Sequence, residues 1–158
     1  MSLKKVWQLG VFASKRGCRY SCLQMISFIV PAYNEEFELP STIAAIRAAA
    51  EKIDNYELIV VDDGSTDATA QIAKQADVQV VSIDRRQIAA ARNAGAGAAR
   101  GEVLFFVDAD TRINARHVVD AIAALSSGCS GGSARIFADG VIVGPDFHED
   151  FLRALFRK

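Results

Sequence analysis

The chain has 158 residues, 51% hydrophobic and 23% charged, with 18 Lys and Arg against 19 Asp and Glu and a formal net charge of −1. That length suits one domain with a genuine core, and a half-apolar chain with only three prolines is not disordered. Near-neutrality gives no case for nucleic-acid binding.

The charge is unevenly spread. Residues 1–25 carry Lys4, Lys5, Lys15, Arg16 and Arg19 with no acid, a net +5, which leaves −6 for the remainder. This segment shows no clear helical or strand period. Val6 to Ala13 is too short and interrupted for a membrane span, and Lys15-Arg16 with no small-x-small site spoils a signal-peptide reading. Residues 1–25 are expected to be a basic extension outside the core, with Met25 the natural beginning. The sharper alternative is a basic arm at a membrane surface. Cys18, Cys22 and Cys129 lack nearby partners for a zinc site, since His117 and His148 are far along the chain; three free thiols fit a reducing cytoplasm.

From Ile26 onward, apolar strands alternate with alanine-rich helices, the pattern of an α/β, mostly parallel doubly wound sheet. The strands read as Ile26–Val30, Glu57–Val61, Val78–Ile83 and Val103–Val107. A helix is expected from Pro40 to Ile53, with Ile43, Ile46 and Ala50 as its buried stripe and Pro40 in its opening turn. A second runs from Thr66 to Gln75, capped by Ser65 or Thr66. A third covers Arg86 to Arg100, where Gly95 and Gly97 each cost about 1 kcal/mol against alanine, a sacrifice explained by close packing on the sheet. Asn114 caps a fourth reaching Leu125. Ser126 to Gly132 reads as a flexible joint. Arg135–Phe137 and Val141–Val143 flank Ala138-Asp139-Gly140 as a hairpin, and Phe147 to Phe156 reads as a terminal helix.

Three strands end in ligand-competent residues. Ile26–Val30 runs into Pro31-Ala32-Tyr33-Asn34-Glu35-Glu36, Glu57–Val61 into Asp62-Asp63-Gly64-Ser65-Thr66-Asp67, and Val103–Val107 into Asp108-Ala109-Asp110. Open α/β sheets place ligand sites at the carboxyl ends of their strands. Two carboxylates one residue apart repel and resist burial unless a cation lies between them. A divalent metal carrying a phosphorylated ligand satisfies that requirement.

These motifs, with Ala90-Ala91-Arg92-Asn93-Ala94-Gly95 between the second and third, come in an order that resembles the nucleotide-sugar-binding half of family 2 inverting glycosyltransferases, which have a Rossmann-like A-type fold. The resemblance spans Met25 to Gly132. It implies a nucleotide pocket of Pro31, Tyr33, Glu35 and Asp63, with Tyr33 stacking on a base and Asp63 accepting from its imide N–H. It brings Arg92 and Asn93 to the diphosphate. Asp108 would lie near the ribose and share with Asp110 the binding of magnesium or manganese (Mg2+ or Mn2+), with Asp110 the more direct ligand. Arg85 and Arg86 read as solvated.

The resemblance also implies a nucleoside-diphosphate sugar as donor, UDP- ahead of GDP-, and a glycan or lipid acceptor. Location is expected to be cytoplasmic, peripheral at the inner face of the membrane for a lipid acceptor. The base for an inverting transfer falls beyond Asp110, where the candidates are Asp146, Glu149 and Asp150, with Glu149-Asp150 the better fit; the opening turn of a helix would equally favour these acids. Only 48 residues follow Asp110, so the acceptor half reads as largely missing. That leaves a non-catalytic nucleotide-binding remnant or regulatory module as the alternative, and self-association over exposed apolar surface as an expectation. A phosphatase with Asp108 as nucleophile fails on order, because the only later lysine is Lys158.

Overall fold

The computed structural model describes residues 7–13, 25–127, 131–136 and 142–146. Within them the chain runs β1 (Trp7–Ala13), β2 (Ile26–Ala32), α1 (Leu39–Ala49), β3 (Tyr56–Asp63), α2 (Thr69–Gln75), β4 (Gln79–Ile83), α3 (Ile88–Ala98), β5 (Val103–Phe106), α4 (Ala115–Ser126), β6 (Gly131–Ile136) and β7 (Ile142–Asp146). The strands form one sheet in the order β4-β3-β2-β5-β1-β6-β7. The first four are parallel. β1 is antiparallel to both β5 and β6, and β7 is antiparallel to β6. The expected parallel α/β architecture therefore holds for the β4-β3-β2-β5 half, and the other half is antiparallel, so the sheet as a whole is mixed.

The strand period of two divides the core between the faces. Phe28, Val30, Leu58, Val60, Val103 and Phe105 pack with Leu39, Ile43 and Ile46 of α1 and Val118, Ala121 and Leu125 of α4. Ile29, Ile59, Val61 and Phe106 face the other way, against Ala91 of α3. Because helices cover both faces, β2 is buried along its whole length. This is why its sequence reads as a continuous apolar run rather than an alternation.

Gly95 shows how closely α3 lies on the sheet. A Cβ there would stand 2.3 Å from Ile29 Cγ2 and 3.0 Å from Val61 Cγ2, whereas one at Gly97 would meet nothing within 4 Å. Close packing thus explains Gly95 and not Gly97. At the amino ends of the strands, Ser27 Oγ donates to Glu57 Oε1 (2.6 Å) and accepts from the Gly101 amide (2.9 Å). The Arg100 amide and Nε also bind the Glu57 carboxylate. Burial opposes the charge on Glu57, yet Ser27 and Arg100 outweigh it and hold its carboxyl below the ordinary value.

Several boundaries differ from expectation. Trp7–Ala13, expected outside the core, is a strand inside the sheet, with Val11 in the main cluster. Its partners lie near the opposite end of the chain, and strand pairing at that separation leaves no local period to read. α1 ends at Ala49, short of Ile53. α2 begins at Thr69 because Ser65 and Thr66 bond elsewhere. The joint expected through Gly132 gives way to β6 at Gly131. The hairpin is present as β6 and β7, with Ile136 opposite Ile142. The terminal helix expected at Phe147–Phe156 lies outside the described residues.

Candidate functional site

β2 has β3 on one side and β5 on the other, so the sheet's winding reverses between β2 and β5. A crevice opens at such a switch point, beyond the carboxyl ends of the strands. Ile29 is the last β2 residue opposite β5, and its carbonyl accepts from the Val107 amide. Pro31 follows where β5 has ended, so its missing N–H costs the ladder nothing on that side.

On the β2 side, the loop carrying Tyr33 is bound to the loop after β3. Asn34, at φ +54°, donates its amide to Ser65 Oγ and accepts the Thr66 amide on Oδ1 at 2.8 Å. The Glu35 amide donates to Thr69 Oγ1 and the Glu36 amide to Asp67 Oδ2, while Glu36 Oε2 accepts from the Ala68 amide. Asp67 also accepts the Thr69 amide on Oδ1. Burial raises the Asp67 pKa, but these donors prevail and its carboxyl lies below the ordinary range. Gly64 supplies the left-handed corner, at φ +73°.

Asp63 is 4% exposed. Its oxygens accept the Arg85 amide at 2.7 Å and the Gln87 amide at 2.8 Å. Burial opposes its charge, yet the amides of Arg85, Arg86 and Gln87 and the charge of Arg86 lower its pKa. Successive amides wrapped round one anion form a nest, and they require Arg86 at φ +51°. Asp63 therefore shapes the β4–α3 loop. Arg86 is exposed, as expected, and its Cζ also lies 5.6 Å from the Tyr33 ring centroid, within cation–π range.

On the β5 side, Asp108 and Asp110 flank a tight turn in which the Thr111 amide donates to the Asp108 carbonyl at 2.9 Å. Arg92 of α3 donates through an Nη to Asp108 Oδ1 at 2.8 Å, with both side chains largely buried. Arg92 Nε is buried without a hydrogen-bond partner among the described residues. Asn93, one position on, is on the exposed side of α3. From α1, Thr42 Oγ1 donates to the Ala109 carbonyl and accepts from Arg112, which also reaches Glu38 Oε2. Asn114 caps α4, accepting the Arg116 and His117 amides, and His117 Nδ1 accepts in return from the Asn114 amide.

The structure thus brings Pro31, Tyr33, Glu35 and Asp63 to one side of the crevice, and Arg92, Asp108 and Asp110 to the other. Glu149 and Asp150 lie outside the described residues, and Asp146 falls in β7. Thr42, Arg112, Glu36, Asp67 and the contact of Arg86 with Tyr33 were missed; a polar residue inside an apolar helical stripe was the one available signal, at Thr42. Among the described residues no group of three or more His, Cys, Asp or Glu could hold a metal by itself. Two hard carboxylate oxygen donors suit a magnesium or manganese ion that completes its shell from a ligand's phosphates.

The model of glycosyl transferase family 2 matches residues 27–148. The chain belongs to that family. It is 35% identical over 97 residues to an undecaprenyl-phosphate 4-deoxy-4-formamido-L-arabinose transferase from Pseudomonas fluorescens, covering 56% of this chain and 28% of that relative. Among solved structures it is similar to S. aureus TarS 1–349 in complex with UDP-GlcNAc, with a TM-score of 0.56, 30% identity, and coverage of 66% of this chain and 32% of the other. Glucosyl-3-phosphoglycerate synthase from Mycobacterium tuberculosis, in complex with Mn2+, UDP and glucosyl-3-phosphoglycerate, gives a TM-score of 0.58 at 29% identity over 69% of this chain and 42% of that one. This family 2 chain therefore has the A-type α/β fold, and it spans about a third of the curated relatives it matches. No helix among the described residues is long and apolar enough to cross a membrane.

Proposed function

We propose that this family 2 domain binds a nucleoside-diphosphate sugar, UDP- ahead of GDP-, across the β2/β5 switch point and transfers the sugar with inversion to an acceptor hydroxyl on a glycan or lipid. The observation that carries this reading is the pair of facing walls: a Tyr33–Asp63 corner on one side and an Arg92–Asp108 ion pair beside Asp110 on the other. UDP-GlcNAc in one neighbour's complex and UDP in another's support the choice of base.

Tyr33 offers its ring to the base, with Pro31 and Glu35 shaping the corner. A carboxylate has about four lone-pair sites, so Asp63 keeps capacity beyond the amides of its nest to accept the imide N–H. The buried Nε–H of Arg92 is a donor that a phosphate oxygen would satisfy, and Asn93 extends the same turn. Asp108, neutralised by Arg92, lies toward the ribose. Asp110, with Asp108 beside it, would hold magnesium or manganese, which when bound stabilises the charge that develops on the leaving diphosphate. Glu149 or Asp150 would take the proton from the acceptor hydroxyl. The site would work in the cytoplasm, peripherally at the inner face of the membrane where the acceptor is a lipid.

Calorimetric titration of UDP, then GDP, with and without Mn2+ tests this. Metal-dependent UDP binding lost in Asp110→Asn is the expected result, and absence of binding by either nucleotide sinks the reading. The chain's coverage of only 28% of a curated relative favours a second reading, a nucleotide-binding module without turnover. Tight UDP binding combined with neither transfer nor donor hydrolysis would select it.

A further inference from the structure

Asp108-Ala109-Asp110 is a turn at a strand end, and short turns of this kind are soft unless held from several sides. Asp108 is held by Arg92 from α3 and by the Thr111 amide closing the turn. The peptide between Ala109 and Asp110 is held by a separate device from α1. Thr42 is completely buried. Its Oγ1 lies 2.5 Å from the Ala109 carbonyl, 3.3 Å from the Glu38 carbonyl and 2.9 Å from an Arg112 Nη.

A threonine hydroxyl has one proton. Arg112 can only donate, so it occupies a lone pair of Oγ1 and leaves the proton for a carbonyl. The shorter approach directs that proton to Ala109. Arg112 is itself fixed by Glu38 Oε2 at 2.6 Å. Arg112 thus donates both to the Glu38 carboxylate, which anchors it, and to the Thr42 hydroxyl, which donates in turn to the Ala109 carbonyl, so the last two bonds polarise one another.

Its target is one peptide plane. Fixing the Ala109 carbonyl fixes the Ala109–Asp110 peptide, and with it the direction in which Asp110 leaves the backbone. We infer that Thr42 and Arg112 are positioning residues for the metal-binding turn, acting through the Ala109 carbonyl to aim Asp110, while Glu38 ties Arg112 to the first turn of α1. That turn directly follows the Tyr33 loop, with the Leu39 amide bonded to the Glu35 carbonyl. The same helix end thus adjoins both walls of the crevice, but through separate bonds: Leu39 to the Tyr33 loop, Thr42 to the aspartate turn. This inference rests on the donor-site reading above.

The test measures UDP affinity with and without Mn2+ in the full chain and three variants. Thr42→Val keeps the volume and removes the hydroxyl; Thr42→Ser keeps the hydroxyl; Arg112→Ala removes the guanidinium. The quantity compared is the gain in UDP affinity on adding Mn2+. Thr42→Val is expected to cut that gain about ten-fold, the scale of one lost buried hydrogen bond. Arg112→Ala should cut it by a few-fold, and Thr42→Ser should restore most of it. UDP affinity without metal should stay within about two-fold of wild type in all three, because the Tyr33 corner is untouched.

A wild-type gain in Thr42→Val overturns the positioning role. An equal loss with and without metal also overturns it, since that marks general structural damage. A wild-type protein with no metal-dependent gain overturns the donor-site reading and this inference with it, and the wild-type control separates that failure from the other two.

Discussion

Gly95→Ala and Gly97→Ala make a matched pair two residues apart in one helix. Helix propensity alone predicts that each gains about 0.5–1 kcal/mol, because alanine removes glycine's entropic cost. Packing separates them. At Gly97 the new methyl meets nothing within 4 Å, so the gain should appear in full. At Gly95 it would stand 2.3 Å from Ile29 Cγ2 and 3.0 Å from Val61 Cγ2, where carbon atoms prefer roughly 3.5–4.0 Å. Ile29 is fully buried in the middle of the sheet and stiff at χ1, so relief must come from lifting α3. Overpacking of this kind costs about 1–3 kcal/mol. With a stiff neighbour the upper part of that range applies, and after the propensity gain the net loss is about 1–2 kcal/mol. Urea denaturation followed by circular dichroism measures both variants, with an unchanged slope certifying the comparison. A midpoint for Gly95→Ala at or above wild type would refute the packing argument. Because α3 also carries Arg92, the same variant should weaken UDP binding, which Gly97→Ala should not.

The remaining predictions concern charge and the lower end of the sheet. Asp63 and Asp67 lie below their ordinary 3.8 in the folded protein. A depressed carboxylate stabilises fully above its unfolded value and loses that contribution as pH falls through the folded one. Thermal stability should therefore hold from neutrality to about pH 5 and fall below about pH 4, with a shallower fall in Asp63→Asn; an identical acid profile for that variant would count against the amide nest. Gly101→Ala would bring a methyl to 2.5 Å from Ser27 Oγ and 2.7 Å from its amide nitrogen. Because backbone cannot yield there, it should cost about 2–3 kcal/mol, measured by the same denaturation, and wild-type stability would refute it.

The parallel half of the fold was legible because its information is local. Continuous apolar runs ending in turn residues gave β2, β3 and β5, and alanine-rich stretches between them gave α1 to α4. The acidic strand ends were readable for the same reason, since each motif is a handful of consecutive residues. What escaped depends on distant partners. Trp7–Ala13 has no period of its own and becomes a strand only beside β5 and β6. Ser65 and Thr66 carry ordinary capping chemistry, but Asn34 is a better-placed partner, so the helix starts later. Arg86 is the surface cation it reads as, but its place over Tyr33 depends on the Asp63 nest that turns its backbone. Thr42 shows only as a polar residue in an apolar helical stripe and Arg112 not at all, because their meaning lies in a carbonyl 67 positions away from Thr42.

The place of β1 has a consequence for the order of assembly on the ribosome. β1 precedes β2 to β4 in sequence, yet it sits between β5 and β6, which follow them. β2, β3 and β4 can collapse with their helices as they emerge, each next to a neighbour already synthesised. β1 cannot pair until β5 and then β6 have been made, and the described sheet stays split in two until it docks. Non-local pairing of this kind is slow and leaves open strand edges exposed in the interval. The nascent domain therefore passes through a half-built stage in which β5 offers a free edge beside the aspartate turn, and inserting β1 is the step that closes it.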